Sequence, residues 1–128
     1  MSGRVLTPDG EPGVGVRVRV YHTDASGYYS PGGMDESNVR LCGVLITGDD
    51  GTYRVETILP GKYATGGPAP HVHFDVTLPK GGTRLHTVFW KEPQADGDAE
   101  AGERSATVRP MVRDKSGLLR LAYDIQLR

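Results

Sequence analysis

The sequence predicts an all-β protein, a sandwich of two sheets formed by a single domain over residues 1–128. Three observations carry this reading. Short stretches rich in Val, Ile, Tyr and Phe alternate apolar with polar residues, the period of a half-buried strand. Glycine and proline are frequent, at 18 and 9 residues, and recur between those stretches, supplying the breaks of an all-β chain. No stretch repeats apolar residues at helical spacing over a useful length, so little or no helix is expected. A chain of this size can bury a core without disulfide staples.

Strands are expected at residues 3–7, 14–22, 41–47, 53–58, 71–78, 84–90, 106–112 and 118–127. The first ends at Pro8-Asp9-Gly10, and the third runs into Asp49-Asp50-Gly51. Lys80-Gly81-Gly82 separates the fifth from the sixth, and Asp114-Lys115-Ser116-Gly117 the seventh from the eighth. Each of these four turns contains a glycine able to take φ > 0. The second strand reads Val16-Arg17-Val18-Arg19-Val20-Tyr21, and the fifth continues Val72-His73-Phe74-Asp75-Val76-Thr77-Leu78, both rich in β-branched and aromatic residues. Two stretches are irregular. Residues 30–40 follow Tyr29 and are expected to line a site; residues 92–105, acidic and rich in Ala, Gly and Asp, are expected to form a solvated loop.

Composition excludes several functions. A formal net charge of -1 offers no basic field for nucleic acid or an anionic membrane. No apolar run is long enough to span a bilayer, and Ser2-Gly3-Arg4 leads into strand-like residues rather than a secretion signal, so a cytoplasmic location is expected. Cys42 is the only cysteine, which rules out an internal disulfide and a thiolate cluster; Leu41, Gly43 and Val44 around it predict a buried position.

His71-Val72-His73 carries the chemistry. On a strand, residues two apart share a face, so both imidazoles can reach one metal ion. Tyr63 lies upstream, across Ala-Thr-Gly-Gly-Pro-Ala-Pro, a segment that cannot be helical and can bend a tyrosine back toward the histidines. Earlier still, Gly27-Tyr28-Tyr29 follows the second strand. Asp24-Ala25-Ser26-Gly27-Tyr28-Tyr29, Asp50-Gly51-Thr52-Tyr53, Pro60-Gly61-Lys62-Tyr63 and His71-Val72-His73 occur in the order and spacing of one family. The chain resembles the intradiol ring-cleavage dioxygenases, which act on catechols and protocatechuate; Ala122-Tyr123-Asp124-Ile125-Gln126-Leu127 resembles their last strand.

The resemblance implies the β-sandwich of the intradiol core and a non-heme Fe(III) centre. Tyr29, His71 and His73 would be lasting ligands, and Tyr63 a ligand that leaves as catechol binds and then accepts its proton. It implies a catechol-type substrate and O2, a muconate-type diacid as product, and a possible homo-oligomer. Phenolate and imidazole donors suit ferric iron, and a tyrosine, with a pKa near ~10, becomes a neutral-pH ligand only beside a strong Lewis acid. Tyr28 is the alternative to Tyr29. Tyr53, Phe89 and Trp90 are expected in the core, and His22 and His86 are expected to be ordinary strand histidines.

The chain departs from the family pattern in three ways. Pro68 stands where the family places an arginine, three residues before the first histidine. Leu85-His86-Thr87-Val88-Phe89-Trp90 lacks the family's glutamine. The helical segment that precedes the first strand in catechol-type members has no counterpart in these residues. Competing readings are a transthyretin-like or carbohydrate-binding sandwich without catalysis, and an iron protein with other phenol oxygen chemistry.

Overall fold

The structure, a computed structural model, describes residues 1–91 and 106–127. Its strands in chain order are β1 (Ser2–Leu6), β2 (Arg17–His22), β3 (Leu41–Ile46), β4 (Thr52–Arg54), β5 (His71–Thr77), β6 (Thr83–Lys91), β7 (Ala106–Arg113), β8 (Leu119–Leu121) and β9 (Ile125–Gln126). Among the described residues, helix is confined to one 3-10 turn, Glu36–Asn38. No helix there is long and apolar enough to cross a membrane.

The strands form a six-stranded sheet, ordered β3-β2-β5-β6-β7-β8, and a three-stranded sheet, ordered β4-β1-β9. The predicted β-sandwich is what these two sheets make. Alternation along β5 shows why the layers adhere. Val72, Phe74 and Val76 are at most 1% exposed and face the smaller sheet. There they join Val18 and Val20 of β2, Val88 and Trp90 of β6, and Val5, Tyr53 and Ile125 of the smaller sheet. Burying each such side chain contributes about 1.5–3 kcal/mol. His71, His73, Asp75 and Thr77 therefore project from the opposite, outer face of the large sheet.

All four predicted turns form, with Gly10, Gly51, Gly81, Gly82 and Gly117 at positive φ. Three strands differ from expectation by more than one residue. Gly15, at φ 68°, turns the chain before β2, yet Val16 stays buried through its N–H bond to Thr47 Oγ1 at 2.9 Å. The expected strand over 53–58 pairs only as far as Val55, whose N–H donates to Met1 O, before residues 56–60 leave the sheet. The expected final strand is two strands: β8 pairs with β7 in the large sheet, and β9 pairs in parallel with β1 in the small one. The chain changes sheets where Tyr123 N–H donates to Ser2 O and Asp124 accepts from Arg4 N–H. Cys42 is exposed, not buried. It lies on edge strand β3 opposite Tyr21, on the outer face, and Gly43 takes the inward position opposite Val20. The expected loop over residues 92–105 lies outside the described residues.

Candidate metal centre

Two turns bring the tyrosines over the histidine face of β5. The first begins at Asp24, whose Oδ1 accepts from the N–H groups of Ser26 and Tyr28 at 2.9 and 3.1 Å. An aspartate that satisfies the backbone two residues on is a turn-forming device. Gly27 completes the turn at φ 88° and lets the second turn close in: a Cβ there would collide with the carbonyl oxygen of Lys62. Gly61 does the same in return, facing the carbonyl of Ala25. Gly61 N–H donates to Asp24 O, and Ala64 N–H to Gly27 O. Two glycines thus permit two backbones to abut, and Tyr29 and Tyr63 emerge side by side.

Four side-chain atoms then meet in a closed circuit. Tyr29 Oη is 2.5 Å from Tyr63 Oη, which is 2.8 Å from His71 Nε2. His71 Nε2 is 3.1 Å from His73 Nε2, which is 2.9 Å from Tyr29 Oη. Tyr29 and His71 are buried, at 2% and 5% exposure, whereas Tyr63 is half-buried and borders solvent.

The chemistry of this donor set fits a cation. His71 Nδ1 lies 2.8 Å from Ala69 O, and a carbonyl only accepts, so Nδ1 carries the proton and Nε2 faces the circuit bare. Thr87 Oγ1, 3.3 Å from Nδ1 of His73, can accept in the same way. Two bare nitrogens would then face each other at 3.1 Å, an arrangement that a shared metal relieves. Burial, reinforced by neighbouring His71, pushes His73 down to about 4, so its imidazole is neutral. Burial, and then the Tyr63 hydroxyl, holds the Tyr29 phenol far above its usual range. Only a strong Lewis acid would ionise it at neutral pH.

The other sequence candidates lie elsewhere. Tyr28 is not part of the circuit. Tyr53 is buried in the core and its hydroxyl donates to Tyr123 O. His22 bonds Thr23 O and Thr57 Oγ1, and His86 bonds the Tyr123 hydroxyl, so each has the structural role expected of it. Trp90 and Phe89 are both buried as expected, but they face opposite ways: Trp90 joins the cluster between the sheets, whereas the Phe89 ring, 2% exposed, packs 5.0 Å from that of His71. Sequence reasoning missed two neighbours. Tyr21, opposite His73 across β2 and β5, stacks on the imidazole at 4.9 Å. Glu36, in the segment expected to line the site, places Oε1 3.9 Å from His73 Nε2. The first signal depends on knowing that β2 pairs with β5, and the second on how the segment after β2 folds back over β5, neither of which spacing alone reveals.

A family model described as dioxygenase matches residues 1–127. The chain belongs to the intradiol dioxygenase family. Among this intradiol chain's relatives are 6-chlorohydroxyquinol 1,2-dioxygenase of Cupriavidus pinatubonensis and catechol 1,2-dioxygenase 1 of Acinetobacter lwoffii. Each is 30% identical, over 98% and 91% of this chain and 51% and 44% of the relative. The chain thus spans about half the length of the curated relatives it matches. Similar solved folds include the dioxygenase domain of a carbohydrate-binding fusion from Streptomyces sp. SirexAA-E, with a TM-score of 0.74 at 22% identity over 98% of this chain and 76% of that one. Catechol 1,2-dioxygenase from Acinetobacter sp. ADP1 gives 0.69 at 20% identity over 98% and 50%. Iron is expected for the intradiol family, and two phenols with two imidazoles form a donor set suited to it.

Proposed function

We propose that this chain is an Fe(III)-dependent intradiol dioxygenase that opens a catechol-type ring between its two hydroxyl-bearing carbons. One catechol and one O2 become one muconate-type diacid, both oxygen atoms entering the product, so no reductant is consumed. The closed circuit of Tyr29, Tyr63, His71 and His73 supports this reading most strongly. The names of its relatives, which act on catechol and chlorohydroxyquinol, agree with it. Tyr29, Tyr63, His71 and His73 would hold the ferric ion, which would supply the charge that ionises phenols and substrate and the electron-accepting character that lets the ring react with O2.

The remaining steps belong to the side chains. Tyr29 is enclosed, and its backbone is fixed by bonds from Arg40 N–H and to Gly33 O, so its phenolate oxygen stays put. Tyr63 sits at the rim on a glycine-rich turn and can swing outward. As it does, its oxygen takes the proton of the arriving catechol hydroxyl. The Ala69 carbonyl keeps the His71 proton on Nδ1 and away from the reacting face. The rings of Tyr21 and Phe89 pack on the two imidazoles and exclude water from that side.

The test is optical. Purified protein with iron bound is expected to be red to burgundy from tyrosinate-to-iron charge transfer, to shift to longer wavelength on anaerobic addition of catechol, and to consume one O2 per ring once air is admitted. Iron-loaded protein that is colourless, or that ignores catechol and O2, would overturn the reading.

A further inference from the structure

Residues 30–40 carry one charged side chain directly against the candidate centre, and the local structure fixes it there. Asp35 caps the turn Glu36–Asn38, its Oδ1 accepting from the N–H and hydroxyl of Ser37 at 2.9 and 2.6 Å. The carbonyl of Glu36 accepts from Arg19 Nη2 at 3.5 Å, which ties the turn to the outer face of β2. The Glu36 carboxylate then lies 3.9 Å from His73 Nε2 with its side chain 53% exposed, so it stands between the four donor atoms and solvent.

Among the described residues no lysine or arginine pairs with this carboxylate, and a ferric ion bound by one tyrosinate and a catecholate dianion would carry no net charge to offset it. A ligating imidazole is neutral and cancels none of it. The Arg19 guanidinium is committed to Asp75 at 3.1 Å and to the face of Tyr21 at 4.3 Å. Residues 64–70, which lead from Tyr63 to His71, contain only Ala, Thr, Gly and Pro. A catechol held by its two oxygens at the circuit would bind beside this carboxylate, and opposite and like charges held about 6 Å apart in water differ in binding by about tenfold.

We propose that Glu36 sets the charge preference of the site, which takes catechols bearing a cationic aminoalkyl substituent over those bearing a carboxylate. This inference rests on the catechol-opening reading above. An acidic wall attracts an ammonium and, just as important, repels the carboxylate of a competing substrate. Charge-inverting Glu36 should therefore invert the preference.

The experiment uses the iron-loaded protein and three probes of similar size: 4-(2-aminoethyl)catechol, 4-methylcatechol and 3,4-dihydroxyphenylacetate. Dissociation constants come from anaerobic optical titration, and kcat/KM from O2 uptake, in wild type, Glu36→Gln and Glu36→Lys at low ionic strength. Preferences are read as ratios within each variant, so a general loss of folding or iron cancels. The aminoethyl catechol is expected to be favoured over the carboxylate by about tenfold in wild type, with a ratio near one in Glu36→Gln and inverted in Glu36→Lys. Added salt should compress the wild-type ratio. Ratios that stay fixed across the three proteins, including an equal loss on every probe, overturn the inference and leave the catechol reading standing. A wild type that responds to none of the three probes overturns both.

Discussion

Burial separates the two tyrosines that face each other at 2.5 Å. Tyr29 is enclosed and Tyr63 borders solvent, so removing each hydroxyl should have a different result. Tyr63→Phe is expected to keep most of the iron, held by the other three side chains, but to bind and deprotonate catechols poorly. Tyr29→Phe or His71→Ala should lose far more iron. Metal content and anaerobic catechol titration of the three variants check this, and equal iron loss in all of them would count against distinct roles. These ligand candidates were legible in the sequence because HxH on a strand and tyrosine after a glycine-bearing turn are local patterns. Glu36 and Tyr21 were not, since each reaches His73 through pairing or loop packing between residues far apart in the chain.

The paired turns around Gly27 and Gly61 bring the two tyrosines of the centre together. Gly27→Ala must accept positive φ and push aside the Lys62 carbonyl, so a loss of about 2 kcal/mol or more is expected, together with lower iron affinity. Gly10→Ala is the control. Its φ is also positive, at 82°, but nothing lies within 4 Å of the added carbon. It should lower the unfolding midpoint slightly and leave iron content unchanged, as measured by denaturant titration and metal analysis. The expected strands were read well wherever alternation ran uninterrupted, as in β5. They were misread where one apolar run served two sheets, as in residues 118–127. Periodicity reports which way a side chain points but not which sheet it points into, so the crossing at Tyr123 was invisible. Cys42 shows the same limit: apolar neighbours suggested burial, but an edge strand buries only one of its faces.

For the molecule as a whole, acid should be destabilising through two histidines partly or wholly withdrawn from water, His22, which is buried, and His86, which is half-buried. Burial lowers His22 and His86 below the ordinary 6.5, so the folded state holds them neutral while the unfolded state binds protons. Stability from these groups is complete above about pH 6.5 and is lost as pH falls below it toward the folded-state values. Thermal unfolding of metal-free protein followed by circular dichroism should show a midpoint that drops between pH 7.5 and pH 5; a flat profile would contradict neutral burial. The pairing of β1 with β9 has its own consequence, for the order of folding. Val5 pairs with Ile125 and Leu6 with Gln126, so the middle strand of the small sheet has nothing to pair with on one side until the ribosome has made nearly every later residue described. The larger sheet can begin to assemble from β2, β5 and β6, and β1 can already pair with β4, but the β9 part of the covering layer must wait. A chain stalled before Ile125 would therefore lack Ile125 and Leu127 from the core cluster that holds Val72, Phe74 and Val76, and would leave the inner face of the larger sheet only partly covered. This makes β9, although only two residues long, the strand whose docking completes the covering layer and removes the remaining apolar surface from water.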